Sequence, residues 1–303
     1  MKTTPTIILL FLVITSAFAQ QDSQYTHYMY NTININPAYA GSRGVTSIFG
    51  LHRTQWVGLD GAPTTNAFSI NTPIDNSQLG LGVSFVNDKI GASDQNNISV
   101  DLSYTIILNR DYDLSFGIKA SGDLLNVDYT KLDRYNLNDP RFQNNIDNVF
   151  TPNIGAGAYF HSDKMYVGFS VPNFLSIKHF DDNSSAAVAD RLHYYLIGGY
   201  VFDVGPDVKL KPSFLTKMVS GAPLQLDVSA NVLLQEKFTL GLSWRWSAAA
   251  TAMAGIQITN GLFVGYSYDF ETSNLSNYNS GSHEVFLRFD LLNKRRIVTP
   301  RFF

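Results

Sequence analysis

The sequence predicts an all-β protein: a transmembrane antiparallel β-barrel of about 14 strands, with an N-terminal segment as its plug. Three observations predict it. Hydrophobic residues alternate with a period of two through most of the chain, as strand side chains must. The alternating segments mostly run 9–14 residues, longer than the ~5–6 usual in soluble sheets and suited to a tilted bilayer crossing of roughly 9–11. The connections tend to alternate between tight turns and longer loops, the habit of outer-membrane barrels.

Composition narrows the class further. The 303 residues carry a net charge of −3, and only 16% are charged, against about 25% in ordinary soluble domains. With 21 Phe, 16 Tyr and 3 Trp, the chain is no charged disordered segment, and it is too acidic for a nucleic-acid partner. The absence of Cys excludes disulfides, thiolate metal sites, a Cys nucleophile and a lipid-modified Cys.

The elements follow in order. Lys2, the apolar run Ile7 to Ile14 and Ala17-Phe18-Ala19 read as a signal peptide over residues 1–19, cleaved before Gln20. Residues 20–43 precede the first strand and are expected to fold into or across the periplasmic mouth as a plug. Asn36, Pro37, Tyr39 and Gly41 shape it: Pro fixes a bend and Gly permits positive φ. The alternative for this segment is a disordered periplasmic tail.

The barrel occupies residues 44–292. Its strands are expected at 44–56, 64–72, 79–88, 96–109, 112–127, 151–161, 164–174, 191–203, 208–218, 223–235, 237–247, 250–259, 262–271 and 282–291. Residues 97–106 are the clearest, with Ile98, Val100, Leu102, Tyr104 and Ile106 on one face and Ser99, Asp101, Ser103 and Thr105 on the other. The polar faces are mostly Ser, Thr, Asn and Gly, including Gly117, Gly155, Gly157, Gly168, Gly241 and Gly265, as expected where a wall meets a filled interior.

A closed sheet is required because hydrocarbon satisfies no backbone polar group. The apolar face then meets lipid. A midplane Lys facing lipid would cost roughly 2–4 kcal/mol, so Lys209, Lys211 and Lys217 are expected inside, with Asp101, Asp227, Arg245, Asp269 and Arg288. These charges either neutralise one another in a packed lumen or line an ion-selective pore. A basic tail, residues 293–303, is expected in the periplasm, so that both termini lie on that side.

Motifs for chemistry are few. The six His have no metal-ligand spacing, and there is no nucleophile elbow or phosphate loop. Ser282-His283-Glu284 cannot form a triad unaided, because adjacent strand residues face opposite ways. The expectation is a non-enzyme without cofactor or metal. For partner contact, the candidates are Arg53, Trp56, Gly61 and Pro63 on the first outer rim, with Tyr135 and Phe142 in loop 128–150 and Phe180 in loop 175–190. Aromatic and Arg side chains on loops suit protein recognition; the alternatives are an aromatic girdle and solvated lids.

Several stretches together resemble one family. They include Gln24-Tyr25-Thr26-His27-Tyr28-Met29-Tyr30-Asn31, Asn36-Pro37-Ala38-Tyr39-Ala40-Gly41-Ser42, Arg53-Thr54-Gln55-Trp56-Val57-Gly58, Asn87-Asp88-Lys89-Ile90-Gly91, Leu210-Lys211-Pro212-Ser213-Phe214 and Asn279-Ser280-Gly281-Ser282-His283-Glu284. In this order they resemble the PorP/SprF proteins of Bacteroidota type IX secretion and gliding motility. The resemblance implies a non-enzymatic outer-membrane barrel that exports or anchors a surface adhesin through its C-terminal sorting domain. It also implies contacts with other secretion, motor or peptidoglycan-linked subunits. The competing class is a diffusion channel for small solutes.

Overall fold

The computed structural model describes residues 26–132, 144–175, 192–219 and 222–291. The strands are β1 (Thr46–Thr54), β2 (Thr64–Pro73), β3 (Leu79–Ile90), β4 (Ser93–Ile107), β5 (Asp113–Val127), β6 (Ile146–His161), β7 (Met165–Val171), β8 (His193–Tyr200) and β9 (Phe202–Gly205). They continue with β10 (Val208–Val219), β11 (Gln225–Leu234), β12 (Phe238–Arg245), β13 (Ala249–Gln257), β14 (Leu262–Glu271) and β15 (Ser282–Leu291). Strands β8 and β9 are one stave interrupted at Val201, and both pair with β10. The sheet therefore has 14 staves, all antiparallel. It closes where β1 pairs with β15, Thr46 opposite Leu291 and Thr54 opposite His283.

Start of β1 and end of β15 lie at one end of the barrel, together with the tight turns after β2, β4, β6, β9, β11 and β13. This is the turn end. The opposite, loop end carries the longer connections after β1, β5, β7 and β14. The expected loop at 89–95 is absent. β3 and β4 continue through it and meet in a two-residue hairpin at Gly91-Ala92, where Gly91 takes φ 55°. Its polar residues form cross-strand pairs such as Lys89–Asp94, so polarity there marks a strand that has left the apolar belt, not a break in it.

The two faces separate as alternation requires. On β4, Ile98, Val100, Leu102, Tyr104 and Ile106 face out, while Ser99, Asp101 and Ser103 are buried. On β12 and β15, Leu240, Leu242, Trp244, Val285, Leu287 and Phe289 form part of the same outer belt. Outside a membrane this belt would be an untenable exposed apolar surface; in lipid it is the required one. Leu242, near the middle of β12, is 69% exposed. Leu242→Arg is expected to destabilise the barrel by about 2–4 kcal/mol in vesicle unfolding titrations. A loss below about 1 kcal/mol would place Leu242 off the lipid-facing belt.

Candidate functional site

The lumen is occupied by the chain's own N-terminal segment. Thr26 and His27 lie near the loop end, against Glu284 and Asp269, and Arg43 lies at the turn end, against Asp290. Between them the segment makes two short 3₁₀ turns, Thr32–Asn34 and Pro37–Tyr39. It runs the length of the lumen and is not confined to one mouth. Residues 26–33 and 35–40 are all buried.

Local chemistry sets the path. The Asn36 side chain accepts from the Ala38 amide at 3.0 Å, capping the second turn, and Pro37 occupies the first helical position. The Asn36 amide nitrogen then donates to the Ala158 carbonyl on β6, also at 3.0 Å. Tyr39 packs edge-on against Tyr159. Gly41, at φ 70°, passes so close to Pro73 and Gly80 that a Cβ would lie 2.8 Å from the Gly80 Cα.

The wall is built to receive this backbone. Ser69, Ser103 and Ser170 donate to Asn31 Oδ1 (3.1 Å), the Ala40 carbonyl (2.7 Å) and the Ile35 carbonyl (2.6 Å). Lys119 donates to the carbonyls of Ile33 and Asn34 at 3.3 and 3.2 Å, satisfying orphan acceptors at the end of the first turn. Gly80, Gly82, Gly117 and Gly157 line the same strip, and a Cβ at any of them would overlap Ala40, Ile33, the Pro37-Ala38 backbone or Asn36. The inward glycines of β3, β5 and β6 thus make a groove for the segment.

Two charged clusters hold its ends. At the loop end, Arg53 reaches Asp269 at 2.6 Å and Glu284 at 3.0 Å. Thr26 and His27 donate their backbone amides to Glu284 at 3.0 and 2.9 Å, and His27 Nδ1 lies 2.5 Å from the same carboxylate. Asp269 also accepts from the hydroxyls of Thr26 (2.9 Å) and Thr251 (2.8 Å). At the turn end, Arg43 grips Asp290 through two nitrogens at 3.1 and 2.6 Å. Arg288, 3.2 Å from Asp290, lies over the rings of Tyr30 and Phe263.

Every inward charge named from the sequence can now be placed. Asp101 pairs with Lys119 at 3.4 Å and Asp227 with Arg245 at 3.1 Å. Lys211 and Lys217 are fully buried beside Tyr30 and Tyr195. Lys209 keeps the inward parity but sits at the turn-end rim, 4.0 Å from Glu236. This is a packed arrangement, its inward Asp residues paired with Lys or Arg and its Lys211 and Lys217 set against aromatic rings. Beside His27, Tyr30, Met253, Phe263 and Phe286 a gap of about 10 Å³ remains, room for roughly one water.

The rim residues fare differently. Arg53 was expected on the outer rim, but it is 3% exposed and belongs to the buried cluster. The parity of β1 turns His52 outward and Arg53 inward. Pro63 is also buried, its carbonyl accepting from the Gln55 amide at 2.9 Å. Trp56 is half-buried at φ 47°, its indole nitrogen 3.3 Å from Glu271. Gly61 is exposed. Tyr135, Phe142 and Phe180 lie outside the described residues. Ser282, His283 and Glu284 diverge: Ser282 Oγ accepts from the Trp56 amide, His283 meets Tyr266, and Glu284 holds the inner segment.

A closed antiparallel barrel with an apolar belt and a lumen packed by its own chain defines a class, the outer-membrane β-barrel proteins with a filled interior. The chain belongs to the PorP/SprF family, described as "Type IX secretion system membrane protein PorP/SprF", which it matches over residues 17–289. Among solved structures, it resembles the CymD monoaromatic hydrocarbon channel (TM-score 0.51, 11% identity, covering 89% of this chain and 94% of that one). It also resembles the toluene transporter TbuX of Ralstonia pickettii (TM-score 0.50, 8% identity, covering 87% and 92%). These likenesses show a shared barrel fold. No curated protein matches the sequence.

Proposed function

We propose that this protein exports or anchors a surface adhesin of type IX secretion through the adhesin's C-terminal sorting domain, without catalysing a reaction. The observation that carries this reading is the packed lumen: with residues 26–43 wedged along it and tied to Glu284 and Asp290 at its two ends, the working surfaces are the two mouths. The loop end, with Trp56, Gly61 and the loops holding Tyr135, Phe142 and Phe180, faces the cell exterior and takes the cargo. The turn end faces the periplasm and meets other secretion or peptidoglycan-linked subunits. The basic tail, residues 293–303, belongs to that side.

The diffusion-channel reading requires the inner segment to leave, because a barrel of this size conducts only when side chains and inserts do not fill it. The deciding experiment removes the gene and follows adhesins at the cell surface. Loss of one adhesin from the surface, with other secreted proteins unchanged, is the expected result, and the tagged barrel should capture that adhesin stoichiometrically from solubilised membranes. Unchanged surface display together with a lone, conducting barrel would overturn the proposal.

A further inference from the structure

Near the loop end, the outward face of β1–β4 carries a polar row. His52, Asn66, Asn87 and Asn96 are direct register partners across three consecutive strand pairs. The row one step below them is Gly50, Phe68, Phe85 and Ile98, part of the apolar belt. The polar row is hydrogen-bonded along its length. Thr54 Oγ1 lies 3.2 Å from His52 Nε2, and His52 Nδ1 lies 2.8 Å from Asn66 Oδ1. Asn66 donates to Asn87 at 3.4 Å, and Asn87 donates to Asn96 at 3.0 Å and to Asp94 at 2.7 Å. The same register continues through Leu124 to Phe150, which is 61% exposed.

These groups face away from the lumen, where acyl chains cover the wall just below them. A molecule whose chains lie on Phe68, Phe85 and Ile98 must present its headgroup at this row. Side chains ~4.8 Å apart hold one another in place; Asn87 commits both its N–H groups to Asp94 and Asn96, while Asn66 and Asn96 each keep an N–H and all three amide oxygens keep a lone pair. The charges at the row, Lys89 and Asp94, are paired with each other at 3.2 Å. A phosphate would need unpaired cations and forked donors. Neutral amides, an imidazole and an exposed phenyl ring instead match a ring bearing hydroxyls, with an apolar face for Phe150.

We propose that the row His52–Asn66–Asn87–Asn96, with Phe150, binds the sugar headgroup of a membrane glycolipid. The site rests on the outer-membrane placement of the barrel and is independent of the secretion reading, which stands or falls on adhesin display. The test uses the full-length protein in detergent, titrated with rough lipopolysaccharide, phosphatidylethanolamine or phosphatidylglycerol and read by native mass spectrometry. The Asn66→Leu/Asn87→Leu variant is expected to retain lipopolysaccharide about tenfold more weakly, the loss of one to two hydrogen bonds, with phospholipid retention unchanged. Phe150→Ala, which removes no hydrogen bond, is the second variant and should weaken the same ligand severalfold. Equal lipopolysaccharide retention by the wild type and both variants would overturn the proposal, as would a loss confined to phospholipid.

Discussion

Deleting residues 20–40 is expected to turn a closed barrel into a conducting one, raising small-ion conductance in planar bilayers about tenfold or more. A barrel of eight strands is filled by its own side chains, and wider ones need an insert or remain open. Here the insert supplies Tyr28, Tyr30, Ile33 and Tyr39, all almost fully buried, and without it Asp101, Lys119, Lys211 and Arg288 would face water. The deletion spares Gly41 to Arg43, so the bidentate Arg43–Asp290 contact and the whole strand ladder remain. Gly117→Leu is the companion variant. Its side chain would overlap the Pro37-Ala38 backbone, dislodging the segment without shortening the chain. Unchanged conductance in both would show that something other than this segment closes the lumen.

The barrel was legible because its physics is local. Alternation on β4 or β12 reports which side chain meets lipid wherever the strand sits in the barrel, and turn chemistry marks where strands end. The segments at 262–271 and 282–291 coincide with β14 and β15. A loop was expected at 89–95 because sequence polarity reports the end of the hydrocarbon belt, and β3 and β4 run beyond it. The inner segment was legible in part. Glycines on inward faces implied a filled interior, but their partners Ile33, Asn36, Ala38 and Ala40 lie distant in sequence.

Arg53 shows the limit from the other side. An Arg three residues from the expected end of the first strand, which closes on Trp56, reads as a rim contact. Only the pairing of β1 with β15 reveals Glu284 directly opposite it, and only the inner segment reveals Thr26 and His27 on the same carboxylate. Sequence separations above 200 residues carry no pattern that a single chain displays.

Arg53→Leu is accordingly expected to be among the most damaging single substitutions, costing about 3–5 kcal/mol, because it strands Asp269 and Glu284 in the interior without their guanidinium. Both carboxylates are buried on neighbouring strands, β14 and β15. Thr26, Thr251 and His27 would remain to hydrogen-bond them. The cost has two structural readouts, since Arg53 sits on β1 at the seam where the first and last strands close the barrel and also contacts the inner segment at 3.0 Å. Urea titration in vesicles should show the lost stability, and bilayer recordings should show transient openings as Thr26 and His27 lose their anchor. Glu284→Gln should cost less, about 1–3 kcal/mol, because Arg53 keeps Asp269 at 2.6 Å. The double variant should fall well short of the summed losses, as expected for residues in one network. Strict additivity, or a cost for Arg53→Leu below about 1 kcal/mol, would show that the seam and the segment are held by packing alone.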